Sequence, residues 1–242
     1  MKKLIFFTTL FFQIASCLSQ DKDFYGTVYY RFQPNNNTVS NSKEVEQHVK
    51  DLFKSLNDYA ADVKFKMDFF NTTSIFTIKD DLEIESKPFA KVIANNIVGS
   101  GSFYCDLERD LLYRKVDRGD FIIKLQPSKK KWVLSQEMKY IKDYKCYKAI
   151  TSVTNKNATG EYTFEVIAWY APDIPVPFGP KEFNGLPGLI MELKDTHFTF
   201  YVDKIELFPK EKPIIKPFKG KIITEEKYRE RIREMMGGFI KR

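Results

Sequence analysis

The sequence predicts an α+β fold that is mainly β: a single domain with a large curved antiparallel sheet, one early helix packed on it and a short C-terminal helix. Three observations lead to this prediction. Runs of β-branched and aromatic residues, separated by Gly, Pro, Asn and Asp turns, recur along most of the chain. Apolar residues occur at helical spacing near residues 43–59 and again after Thr224. The 43% hydrophobic and 15% aromatic content is ample for a core and argues against global disorder.

The first predicted strand covers residues 24–32, and Pro34 with the asparagines after it ends that strand. Between residues 63 and 69, apolar side chains alternate with charged ones, so one face of this strand should be buried and the other wet. Strands at such spacing favour a meandering antiparallel sheet. The further predicted strands cover residues 74–79, 101–106, 111–116, 121–126, 132–135, 146–154, 162–170, 189–193 and 198–208.

Two helices are predicted outside this strand pattern. The early helix should run over about residues 43–59, after Ser42 as its N-cap. Near the end of the chain, three prolines between residues 209 and 217 predict an extended connector. Thr224 then caps a last helix, which Gly237 and its neighbouring glycine should end.

The N-terminus predicts export. Residues 1–19 place two lysines before a short apolar run that ends in small residues, which is the pattern of a cleavable secretory signal. The run is too short to cross a hydrocarbon core, which needs about 20 apolar residues. Cleavage after Ser19 would leave Gln20 first. Alternatively, residues 14–17 fit a bacterial lipobox, in which Cys17 is lipidated and anchors the protein. The predicted location is therefore the periplasm or the outer membrane, and the lipoprotein alternative stays open.

The mature chain is predicted to comprise a β-rich domain over residues 20–208 and a basic connector with a helix over residues 209–242. The tail carries eleven basic and five acidic side chains, whereas residues 20–208 carry 26 basic and 27 acidic ones. A basic tail can contact an anionic surface, or its charges can simply solvate one helix face. A neutral, exported body fits nucleic-acid binding poorly. Membrane contact is accordingly expected only through a lipid anchor or this tail.

Residues 169–192 differ from the rest of the chain, because prolines and glycines interrupt an otherwise apolar stretch. Proline fixes its own φ and restricts the residue before it, so the stretch should be a stiff, extended crossing. It is too apolar for a free linker and should pack against the domain. Its residues form either a ligand or partner surface or a structural motif, and they are Trp169, Tyr170, Ile174, Pro175, Phe178, Gly179, Pro180, Phe183, Gly185, Leu186, Pro187 and Gly188.

The same stretch carries a family resemblance. Residues 185–190 read Gly-Leu-Pro-Gly-Leu-Ile, after Trp-Tyr, Ile-Pro and Gly-Pro pairs, and residues 146–149 supply a Cys-x-Lys-Ala element downstream of Trp132. In these motifs the sequence resembles the GLPGLI family of exported Bacteroidetes proteins, specifically over about residues 103–193. Ala171, where a Thr is common, is a minor departure. The resemblance implies an envelope protein, often encoded beside outer-membrane transporters, and it supplies no reaction.

Little in the sequence points to chemistry. Cys105 and Cys146 either form a disulfide or are small buried hydrophobes, and the resemblance gives weight only to Cys146. His48 and His197 have no partners at a recognised ligand spacing, so no metal site is predicted. The sequence also contains no P-loop and no dinucleotide fingerprint, and no cofactor is predicted.

The sequence therefore favours a non-enzymatic envelope protein. It would assist an outer-membrane transporter or another envelope protein, or carry an apolar ligand or an extended peptide. The alternative is an envelope hydrolase that uses Cys146 or a buried pair of carboxylates. A pocket with a convergent polar cluster would favour the hydrolase, and an apolar groove would favour the carrier.

Overall fold

A computed structural model describes residues 23–35, 63–78, 101–116, 121–126, 130–157, 160–196 and 198–240. Within these residues, twelve strands form one sheet and a single helix follows them. The strands are β1 (Tyr25–Pro34), β2 (Phe65–Phe70), β3 (Thr73–Ile78), β4 (Ser102–Asp106), β5 (Leu111–Lys115), β6 (Phe121–Lys124), β7 (Val133–Ile141), β8 (Tyr144–Asn157), β9 (Gly160–Ala171), β10 (Leu189–Lys194), β11 (Phe198–Leu207) and β12 (Lys221–Thr224). The helix is α1 (Glu225–Ile240).

The sheet has the strand order β12-β6-β5-β4-β3-β2-β1-β11-β10-β9-β8-β7. Strands β1 to β6 follow one another outward on one side of β1, and β7 to β11 follow one another back to it on the other side. These neighbours are antiparallel, whereas β12 returns to the far edge and pairs with β6 in parallel. The two edges of the described sheet are therefore β12 and β7.

Alternation along the strands builds the core. In β2, the residues Phe65, Met67 and Phe69 are fully buried, and the residues between them are only partly buried. The ring of Phe65 lies 5.5 Å from that of Phe76 and 5.4 Å from that of Phe200, measured between centroids. Burying each such side chain contributes about 1.5–3 kcal/mol. The centre of the sheet is thus held by aromatic contacts between strands distant in sequence.

The sheet is curled. Residues from β4 and β5 line the same cavity as residues from β8 and β9. Seven strands separate β5 from β8 in the sheet order. The two halves can share a cavity only if the sheet bends until they face each other. This curvature gives the sheet a concave side, which the candidate site occupies.

The predicted α+β class, with an early helix packed on the sheet, is wrong. The fold is mainly β, and no early helix is present among the described residues. The predicted helix segment, residues 43–59, lies outside them, as do His48 and the predicted signal peptide with Cys17. Helical spacing is a local signal that does not say what covers the sheet. On the concave side, the described cover consists of the proline-rich crossing, α1 and the strands' own side chains.

The C-terminal helix is present and begins after Thr224 as predicted, but it ends later than predicted. Lys227 N donates to Thr224 Oγ1 at 3.2 Å, as expected of a capping residue. The helix continues through Gly237 to Ile240, beyond the predicted end. The short strand β12 precedes it directly and was not predicted. Within the described ranges, no helix has the length and apolar character to cross a bilayer.

Candidate functional site

The crossing between β9 and β10 packs inside the fold. Most of its apolar side chains are buried, namely Ile174, Val176, Phe178, Phe183 and Leu186, and Tyr170 near the end of β9 is buried as well. Backbone hydrogen bonds anchor the crossing to the start of β10, because Leu189 N donates to Ile174 O at 2.9 Å and Ile190 N donates to Phe178 O at 3.0 Å. The crossing is therefore part of the core, as the sequence predicted for its packing.

The glycines of the crossing allow close approach. A Cβ on Gly179 would lie 2.6 Å from Cδ1 of Ile190, and one on Gly188 would fall on the carbonyl oxygen of Ala171. Gly185 has a φ angle of +91°, a backbone conformation that residues with a side chain rarely adopt. These contacts favour the structural alternative for the motif.

The remaining residues of the predicted set differ in how far they are buried. Pro180 is buried, whereas Pro175, Gly185 and Pro187 are exposed. Trp169 is half-buried, and the Lys139 ammonium lies 4.5 Å from its ring centre. The exposed positions are scattered, and three of the four large aromatic side chains of this set are buried.

A cavity of about 770 Å³ lies on the concave side, between the two halves of the sheet. That volume falls within the range of about 300–1,000 Å³ that is typical of small-molecule sites. Its apolar wall consists of Phe103, Leu125, Val133, Ile150 and Val153. Its charged side chains come from β5, β9, the crossing, α1 and the segment before β7, and they are Arg114, Lys130, Lys131, Glu165, Glu182, Glu225 and Arg229.

Two hydrogen bonds fix the segment that carries the cavity lysines. Trp132 Nε1 donates to the carbonyl oxygen of Asn184 at 2.8 Å. Thr151 Oγ1 donates to the carbonyl oxygen of Lys131 at 2.7 Å. The first bond ties the segment to the crossing and the second ties it to β8. Lys130, on this segment, acts on the carboxylate of Glu182, which lies on the crossing.

Glu182 carries a negative charge at neutral pH. Burial raises the pKa of this carboxyl group. This effect is outweighed by a backbone hydrogen bond and by the positive charges of Lys181, Lys130 and Arg114, which all lower the pKa. The net pKa is below the ordinary value of glutamic acid. A carboxylate held ionised in this way cannot serve as a proton donor near pH 7.

Arg114 has an unused donor in the cavity. Its Nε atom is buried and makes no hydrogen bond to any described residue. The guanidinium carbon lies 5.8 Å from the ring centre of Tyr228 on α1. Buried donors are normally satisfied, so an unused one beside a cavity marks a place where an acceptor can bind.

The two cysteines lie on strands that are not neighbours. Cys105 on β4 and Cys146 on β8 are both buried, and no disulfide joins them. Cys105 Sγ accepts a hydrogen bond from Asn184 Nδ2 at 3.6 Å. Burial raises the pKa of Cys146 to about 11. Roughly one thiol in ten thousand would then be ionised at pH 7, which counts against a nucleophilic role.

The described residues offer no candidate metal site, because they contain no cluster of three or more His, Cys, Asp or Glu side chains placed to hold an ion. Both predicted histidines lie outside this part of the chain.

No pattern in the sequence predicts the cavity. Its charged residues are spread from residue 114 to residue 229. A run of lysines near residue 130 is typical of an ordinary turn. Carboxylates at alternate positions are typical of an exposed strand or turn. Only the curl of the sheet brings them together.

Part of the chain matches a known family. Residues 154–192, from β8 to β10, match the family described as "Protein of unknown function (Porph_ging)". The match includes the whole crossing. It is a family without an assigned function. The more specific GLPGLI resemblance is not confirmed by this match.

Solved structures of PNGF-II in two crystal forms are also similar, with TM-scores of 0.49 and 0.47. Their sequence identities to this chain are 12% and 11%. The similarity covers 86% of this chain but 32% of the PNGF-II chain. No curated protein matches the sequence.

Proposed function

We propose that the chain is an exported binding protein of the cell envelope, and that it holds an extended peptide in the cavity between the two halves of its sheet. The observation that carries this proposal is a cavity of about 770 Å³ with an apolar wall on one part and charged groups on another. A purely apolar ligand would leave the buried Nε donor of Arg114 without an acceptor, which is costly. A peptide offers both apolar side chains and polar groups.

The proposal that the protein is exported rests on its sequence. Positions 1–19 contain two lysines, an apolar run and small residues, and this pattern supports a secretory signal. The signal is either cleaved after Ser19 or removed before a lipidated Cys17. The similarity of residues 185–190 to an exported family supports the same location. The periplasm, or the inner face of the outer membrane, is the proposed place of action.

The hydrolase alternative has weaker support. The raised pKa of Cys146 keeps its thiol protonated near neutral pH. The cavity does contain carboxylates, but Glu182 is held ionised and Glu225 is paired with Arg229 at 2.9 Å. A pair of carboxylates needs one protonated member to act as an acid.

Native mass spectrometry of the protein purified from its own cell envelope tests the proposal. We expect a species heavier than the chain that begins at Gln20, with the excess lost on denaturation. The masses of the released molecules would identify them as peptides. Excess mass that survives denaturation, on a chain beginning at Cys17, would show a lipid anchor. A bare mass would contradict the binding proposal.

A second candidate function is attachment to another envelope protein, such as an outer-membrane transporter. The edge strand β7 supports it, because four large apolar side chains there are more than half exposed: Val133 72%, Leu134 55%, Met138 53% and Tyr140 66%. Edge strands that present apolar side chains and unpaired backbone groups are sites where a strand of another protein can add.

Photo-crosslinking from β7 tests this second function. A photoreactive amino acid at Met138, in cells of the source organism, should give a product with an outer-membrane transporter, identified by mass spectrometry. The control position is Glu161, which is exposed on β9. The same products from both positions, or none from Met138, would contradict an interface at β7.

A further inference from the structure

We propose that Arg114 and Lys130 anchor the C-terminal carboxylate of the bound peptide. This inference rests on the proposed function and names the part of the ligand that the cavity recognises. It follows from three features of the cavity: an unused arginine donor, an excess of positive charge around one carboxylate, and an apolar wall beside both.

The first feature is the Arg114 Nε atom. It is buried at the cavity and has no hydrogen-bond partner among the described residues. The Nε–H of arginine forms one prong of the planar fork that binds a carboxylate through two parallel hydrogen bonds. A ligand carboxylate would accept a hydrogen bond from this Nε–H group, whereas a neutral amide would be a weaker acceptor.

The second feature is charge. The positive charges of Lys181, Lys130 and Arg114 all act on the single carboxylate of Glu182. Glu225 does not offset this excess, since it is paired with Arg229 on the helix at 2.9 Å. Among the other charged side chains that line the cavity, the three cations Arg114, Lys130 and Lys131 exceed the two carboxylates Glu165 and Glu182, so a second anion can be accommodated there.

The third feature is the wall beside the cations. Lys130 Nζ lies 5.3 Å from the ring centre of Phe183, which places its charge against the buried crossing. Phe103, Leu125 and Ile150 line the same cavity. A peptide end supplies a carboxylate together with an apolar side chain, and this combination matches the wall better than a bare ion does.

Binding of two matched peptide pools to the full mature chain tests the inference. One pool contains N-acetylated apolar tripeptides with free carboxylates, and the other contains the same peptides as C-terminal amides. We expect the acid pool to bind about tenfold or more tightly than the amide pool, because hydrogen bonds to charged groups are the stronger ones. Isothermal titration calorimetry after removal of any co-purified ligand measures both.

Variants test whether Arg114 and Lys130 cause the difference in affinity between the acid pool and the amide pool. Arg114→Gln should weaken binding of the acid pool about tenfold and leave the amide pool unchanged. Lys130→Gln should act in the same direction, and it provides a second test if the first variant does not fold. The matched control is Arg31→Gln, on the far face of β1, where Arg31 is paired with Asp203 at 3.2 Å. That control should bind both pools as the parent does.

The outcomes separate this inference from the proposed function. Equal affinity for the acid and amide pools would overturn the carboxylate anchor while leaving peptide binding intact. Binding of neither pool would overturn both. Displacement of the acid pool by inorganic phosphate at lower concentration than the peptides themselves would show a phosphate site and also overturn the carboxylate assignment.

Discussion

Replacing Gly188 by Ala should destabilise the protein by about 3 kcal/mol or more, as expected for overpacking against an unyielding backbone. The new methyl group would fall on the carbonyl oxygen of Ala171 and lie 2.8 Å from the nitrogen of Pro172. These atoms lie at and just after the end of β9, and Leu189 pairs with Ala171 directly beside them. Neither strand can move without breaking this pairing.

The matched control is Pro187→Ala, one residue earlier in the same motif. Pro187 is exposed, so its replacement should cost no more than about 1 kcal/mol, mainly through the greater freedom of the unfolded chain. Urea unfolding followed by circular dichroism measures both variants. Parent-like unfolding of the Gly188→Ala variant would contradict a structural role for the motif.

The second large effect is expected at Phe65. Its replacement by Ala should lower the free energy of unfolding by about 3–5 kcal/mol, the usual cost of removing a buried aromatic ring. The ring is fully buried and contacts the rings of Phe32, Phe76 and Phe200 at centroid distances of 5.8, 5.5 and 5.4 Å. Its loss would open a hole where four strands meet.

Phe70→Ala is the control for this prediction. Phe70 lies on the same strand but is only partly buried, and its ring stacks on Tyr25 at 6.0 Å. The smaller buried area should give a clearly smaller loss of stability. The same urea experiment compares the two variants. Equal losses would mean that the aromatic cluster is not the centre of the core.

The local part of the fold was predictable. Alternating apolar and charged residues predicted β2, and that strand shows the expected burial on one face. Pro187 and the glycines around it predicted a stiff crossing packed on the domain, and Leu186 is buried as that requires. These features depend on neighbours in the sequence, so the pattern of residues is sufficient to indicate them.

The overall class and the cavity were not predictable in the same way. The α+β class was inferred from helical spacing, which is a short-range pattern. The cavity depends on the curl that brings β5 opposite β8, across seven intervening strands. Arg114, Lys130 and Glu182 meet through that long-range geometry. Their spacing along the chain carries no signal of it.

The central claim is that the cavity, rather than the surface of the crossing, holds the ligand. Native mass spectrometry of two variants purified from the cell envelope tests it most directly. Val153→Trp places a large ring at a residue that lines the cavity, and Trp169→Ala removes a half-buried aromatic side chain of β9, just before the crossing. We expect Val153→Trp to abolish the ligand mass and Trp169→Ala to keep it. Loss of the ligand from the Trp169 variant alone, with the Val153 variant still loaded, would contradict the account.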